Sequence, residues 1–151
     1  MLYGAQAVIV DPKAERGRWK ETLPEISHEI NIVTLTSDEK NKGLLDPYVI
    51  MKNPKDSESL AIDILTFLTG ISSRDGERFP ILRKAIRAVT NSEVRGLMKV
   101  IEELRVENTP LSTSIADHIE SFTDYDFAHL LFSNGYVEQS ISLEKQLNII
   151  Q

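Results

Sequence analysis

AVIVDPKAERGRW, residues 7–19, decides how the rest of the chain is read. Four apolar residues, Ala7 to Val10, run straight into Asp11. A continuous apolar run is the pattern of a parallel strand covered on both faces. Pro12 ends it, because proline has no N–H to give to a ladder. Asp11 is then either a magnesium-site carboxylate or an ordinary strand-end aspartate. Residues 13–22 are polar and suit a helix, with Trp19 and Leu23 as inward anchors. INIVTLT (Ile30–Thr36) is rich in β-branched residues and predicts a second strand. LLDPYVI (Leu44–Ile50) is apolar but interrupted by Pro47, which predicts an extended segment or turn.

The texture changes after Asp56. Leu60, Ala61, Ile64, Leu65 and Leu68 recur at helical spacing, with Asp56 or Ser57 as N-cap and Gly70 to end the helix. Pro80 suits the first turn of a second helix, whose inner face is Leu82, Ala85, Ile86 and Val89. TNSE (Thr90–Glu93) has capping-box spacing and predicts the start of a third helix carrying Val94, Leu97, Met98, Ile101 and Leu104. NTP (Asn108–Pro110) opens a fourth, with Ile115, Ile119 and Phe122 inward. TDYD starts a short one through Phe127, Leu130 and Leu131, ended by Asn134–Gly135. LNII (Leu147–Ile150) returns to strand.

The expected fold is therefore α/β and helix-dominated. A partial small parallel sheet carries an α-helical insertion of about four to five helices. The expected divisions are an α/β core over 1–54, a helical subdomain over 55–133, and a return to the sheet over 134–151. Strands so close to both ends of the sequence are what a segment of a larger domain would show.

Composition narrows the chemistry. The 151 residues carry a net charge of −6, so nothing points to nucleic-acid binding through overall charge. Cysteine is absent, which excludes disulfides, thiol catalysis and cysteine-ligated metals in these residues. No apolar run reaches the length of a membrane span. The three histidines, His28, His118 and His129, show no metal-ligand spacing, and no G-x-S-x-G nucleophile elbow occurs. The expectation is no metal site and no catalytic residue in this chain. A phosphate cradle needs G-x-x-x-x-G-K-[ST], and the sequence contains no Gly-Lys pair.

Two charged groups remain. Asp11, Lys13, Arg16 and Arg18 lie at the carboxyl end of the first strand, the edge at which open α/β sheets bind ligands. Arg83, Lys84 and Arg87 lie on the outward face of the second long helix, a possible docking face, although interleaved acids suit an ordinary solvated surface. No aromatic residues interleave with these bases, so single-strand stacking is not expected.

YGAQAVIVDPKAERGRWKE, a second strand and then GLLDPYVI resemble, in that order, the conjugative-transfer traffic ATPases of type IV secretion systems. The form encoded on Gram-positive conjugative elements is the most similar. The resemblance implies a RecA-like P-loop core. Leu2–Tyr3–Gly4 would be the tail of the P-loop helix, and Asp46–Pro47–Tyr48 the family's turn motif. Residues 56–133 would be its helical insertion, and Leu147–Gln151 the start of the strand leading towards Walker B. Neither Walker motif lies within these residues. The resemblance therefore implies ATP and magnesium, a homo-hexamer, secretion-channel partners and a cytoplasmic place at the inner face of the membrane for a parent protein. The chain itself is expected to bind no nucleotide and to be inactive alone. Asp11, Lys13, Arg16 and Arg18 would face the nucleotide edge or a subunit interface, with Arg16 or Arg18 reaching a neighbour's phosphates. The competing expectation is a stand-alone helical interaction module with a basic docking face.

Overall fold

A computed structural model describes residues 6–125, 128–136 and 141–151. Contacts divide the chain into two compact units, residues 1–36 with 141–151, and residues 37–140. The architecture is helix-dominated α/β with one small parallel sheet.

The first unit holds that sheet. Its strands are β1 (Ala7–Val10), β2 (Ile30–Val33) and β3 (Leu147–Ile150), in the order β1-β3-β2. Ile9 lies beside Ile149, and Ile149 beside Ile32. The central strand is the most covered, with Asn148 and Ile149 fully buried. β1 differs from the two-faced burial its apolar run suggests, because Val8 is 52% and Val10 71% exposed. It is an edge strand, and its side chains alternate between partly buried and exposed. Between β1 and β2 the expected helix is broken into pieces. A 3₁₀ turn (Arg16–Arg18) runs into α1 (Trp19–Thr22), and a second 3₁₀ segment covers Pro24–Glu29. Trp19 and Leu23 are half-buried there.

The second unit is helical: α2 (Pro47–Ile50), α3 (Pro54–Thr69), α4 (Arg78–Thr90), α5 (Leu97–Glu107), α6 (Pro110–Glu120) and α7 (Ala128–Leu131). Its core is one apolar cluster in which Leu65, Leu82, Leu97, Leu104 and Ile119 are all fully buried. The inner face expected of α4 is the observed one, with Leu82, Ala85, Ile86 and Val89 buried. Gly70 ends α3 in the left-handed region at φ 68°, where a Cβ would be strained. α6 carries a genuine capping box, Thr109 with Ser112. Of the expected inward residues on the short helix, Leu131 lies on α7, while Phe127 lies outside the described residues.

Other expectations change as well. Of the extended segment or turn expected at LLDPYVI, Pro47–Ile50 is a helical turn, capped by Asp46 with Pro47 at its first position. α3 starts earlier than expected, because Asn53 accepts from Lys55 N at 2.9 Å and Pro54 is preset for a first turn. The TNSE box does not form. Thr90 is the last residue of α4, and its hydroxyl donates back to the Ile86 carbonyl at 2.9 Å. α5 begins only at Leu97, so Val94 precedes it. From the sequence, residues 37–54 group with the sheet. In the structure their contacts place them with the helices.

Candidate functional site

Each unit contains one fully buried aspartate followed by proline. In the sheet unit Asp11 closes β1 and is 2% exposed. Its backbone N–H still donates to Ile150 at 2.7 Å, so the ladder holds one residue past the strand. The chain then turns, with Ala14 N–H returning to the Asp11 carbonyl at 3.1 Å and Ala14 held at φ 54°. That turn brings Arg16 back over the carboxylate. Its backbone N–H donates to Oδ2 at 2.6 Å, and its guanidinium lies 3.5 Å from Oδ1. The same guanidinium sits 5.9 Å from the Trp19 ring, within cation–π reach.

The neighbouring strand ends complete this edge. Gln151 follows the central strand, and its Nε2 donates to Thr34 Oγ1 beyond β2 at 3.2 Å. Its Oε1 is buried without a hydrogen-bond partner. Gly17 passes so close that a Cβ there would lie 2.7 Å from that oxygen. Asp11, Gln151 and Thr34 thus stand at the carboxyl ends of β1, β3 and β2, where ligands of parallel sheets are met. Of the four candidates, Asp11 and Arg16 are committed to each other. Lys13 and Arg18 are exposed and make no ion pair among the described residues.

Both carboxylate oxygens of Asp11 face Arg16, Oδ2 taking the backbone N–H and Oδ1 the guanidinium. The groups that fit an anion are the free cations Lys13 and Arg18. Among the described residues no three acidic or histidine side chains converge as a metal site would require.

Asp46, in the helical unit, is fully buried. Oδ1 accepts from Tyr48 N at 2.9 Å, as an N-cap does. Oδ2 accepts from Leu97 N at 2.7 Å, at the first residue of α5, and from Ser133 N at 3.0 Å. One carboxylate therefore caps α2 locally and α5 from fifty-one positions away in sequence. Burial raises the carboxyl and the three N–H donors oppose it, which leaves it pushed up to about 6. Tyr48 is held beside it, its hydroxyl 3.2 Å from both the Ile86 carbonyl and Thr90 Oγ1. Burial pushes that hydroxyl up to about 12. Nothing in local sequence patterning announces this junction. The one available signal was the Asp-Pro pair, which marks a cap as readily as a turn.

The expected docking face lies on α4. Arg83, Lys84 and Arg87 flank a groove of about 460 Å³ floored by Phe79, Pro80 and Ala88. Lys84 pairs with Glu107 at 3.2 Å and Arg87 with Glu58 at 3.1 Å. Arg83 makes no such pair among the described residues. An apolar groove of about 530 Å³ lies elsewhere on the unit, along Ile64, Phe67, Leu68 and Leu131, with Phe67 86% exposed. No described helix is long and apolar enough to cross a membrane.

The model of the family described as the AAA-like domain matches residues 1–151. No curated protein and no solved structure matches the chain.

Proposed function

The chain belongs to the AAA-like domain family, a P-loop ATPase family, and on that premise we propose that it is an internal segment of the motor domain of a conjugation or type IV secretion ATPase. The parent motor couples ATP hydrolysis to the transfer of DNA or protein. It works as a homo-hexamer at the inner face of the cell membrane, together with other secretion-channel proteins. Its P-loop would be supplied by residues outside this sequence, since no G-x-x-x-x-G-K-[ST] occurs within it.

The observation that carries this reading is the carboxyl edge of the sheet. Three parallel strands end there side by side, and the loop after β1 presents Lys13 and Arg18 unpaired. ATP and magnesium, when bound to the parent, would supply the phosphoryl group and the charge neutralisation of its transfer. This chain's part is narrower. Asp11 and Arg16 fix the loop, and Arg18 is the better candidate to reach a neighbouring subunit's phosphates, because Arg16 is already held by Asp11. On the helical unit, Arg83 is the cation of the α4 groove left for a protein partner.

The test has two arms. The 151-residue chain is assayed for ATP turnover and is expected to show none. Measurable hydrolysis would overturn the proposal. The reading frame around the chain is expected to carry a P-loop shortly before Met1 and an apolar strand ending in Asp-Glu after Gln151. A stop codon directly after Gln151 would leave only the interaction-module reading.

A further inference from the structure

Two grooves of the helical unit meet at Ala88. The first is the basic groove on the outward face of α4. The second, of about 440 Å³, runs from Ala88 over the link after α4 to the exposed side of α5, and Glu93, Glu102 and Glu103 line it. Each groove also has an apolar part. In the basic groove it is Phe79 and Pro80. In the acidic groove it is Val94 and Val106, and Val106 is 77% exposed.

Each groove holds charges that are already paired and charges left over. On the basic side Lys84 and Arg87 are taken by Glu107 and Glu58, which leaves Arg83. On the acidic side Lys99 holds Glu102 at 2.8 Å. Glu93 and Glu103 make no ion pair among the described residues. The leftover charges are therefore opposite in sign and stand on the two sides of Ala88. An unrelated acidic segment would satisfy the basic groove and leave Glu93 and Glu103 unmatched. A surface that carries both halves of a match side by side is answered by its own copy. A two-fold axis sets each half against the other and makes both matches at once.

We propose that the face made by α4 and α5 is a self-complementary surface through which two copies of this chain pair. Arg83 of each copy is set against Glu93 and Glu103 of the other, about a two-fold axis near Ala88. The exposed Val106 of one copy supplies apolar contact for the Phe79 and Pro80 end of the other's groove. The pairing rests on the reading of the α4 groove as a protein site and names the partner; it does not depend on the motor assignment.

Sedimentation velocity of the whole chain tests this. The unmodified chain is expected to show a monomer–dimer equilibrium that weakens about tenfold or more as salt rises from about 0.05 M to about 0.5 M. Arg83→Glu should weaken pairing by about tenfold or more, and so should Glu93→Arg combined with Glu103→Arg, because each change sets like charges together twice per dimer. Arg83 and Glu93 are exposed and Glu103 half-buried, so both variants are expected to keep the circular dichroism of the unmodified chain. Mixing the two variants should restore pairing, since each reversed groove then meets its reversed counterpart. Damage to the fold would give no such recovery. A chain that stays monomeric at low salt overturns the proposal. So does self-association that ignores both sets of substitutions, a mixture that fails to recover, or growth beyond the dimer. None of these results touches the motor reading, which turnover and the reading frame test separately.

Discussion

The two Asp-Pro pairs invite comparison. Asp11-Pro12 and Asp46-Pro47 look alike in sequence, and both carboxylates are buried. Asp11 is neutralised by an arginine five residues away and organises one loop. Asp46 has no cation at hydrogen-bonding distance among the described residues and instead gathers backbone N–H groups from three places along the chain. A charge met by a side chain can stand at a surface where ligands arrive. A charge met only by backbone becomes a structural junction, and its cost and value are both set by burial.

The largest expected effect separates the two directly. Asp46→Ala leaves three N–H groups without an acceptor, and each orphaned buried donor costs about 1–3 kcal/mol, so a loss of about 3 kcal/mol or more is expected. Asp11→Ala orphans one N–H beside a half-exposed arginine and should cost about 1–2 kcal/mol. Denaturant titrations followed by circular dichroism would measure both. Equal losses would dissolve the distinction.

Glycines sharpen the same contrast at somewhat lower cost. Gly43→Ala meets both a left-handed backbone and the body of Ser133, and should destabilise by about 1–3 kcal/mol. At Gly17 the added Cβ meets only the movable end of the Gln151 side chain, so Gly17→Ala should change stability by about 0.5 kcal/mol or less. Comparable losses at the two positions would mean that the Asp11 loop is as tightly built as the Asp46 junction.

How much of this was legible beforehand follows from the range of each interaction. The strands at 7–10, 30–33 and 147–150 were readable, because side-chain pattern sets them. So was the inner face of α4, because four apolar residues at helical spacing need no distant partner to define a face. The Asp11–Arg16 pair lay within one loop, and its members were candidates from the start. What Arg16 would be doing was not legible, since the turn at Ala14 that returns it over Asp11 has no glycine to announce it. The start of α5 departs from its local pattern for a sharper reason. Local spacing offered Thr90 as a cap, while the group that bonds Leu97 N is Asp46, which no local pattern connects to it. Long-range capping is invisible to any argument from neighbours.

The pH dependence supplies the last distinction. Asp46 is raised to about 6 in the folded chain, above the ordinary carboxylate value of 3.8. Its proton is therefore bound more tightly folded than unfolded. The associated stability is fully present below the unfolded value and is lost as pH rises through about 6, by at most about 3 kcal/mol. Asp75 works in the opposite direction. The backbone N–H and guanidinium of Arg78 hold it below the usual range, so its contribution is lost as pH falls. Because other carboxylates titrate in the same window, the informative quantity is the difference between the unmodified chain and Asp46→Asn. That difference should grow more favourable to the unmodified chain as pH drops from 7 to 4. Asparagine cannot take up the proton, whereas aspartic acid sheds its buried charge by doing so. A difference that stays flat across this range would mean that the three N–H donors already balance the burial of the charge.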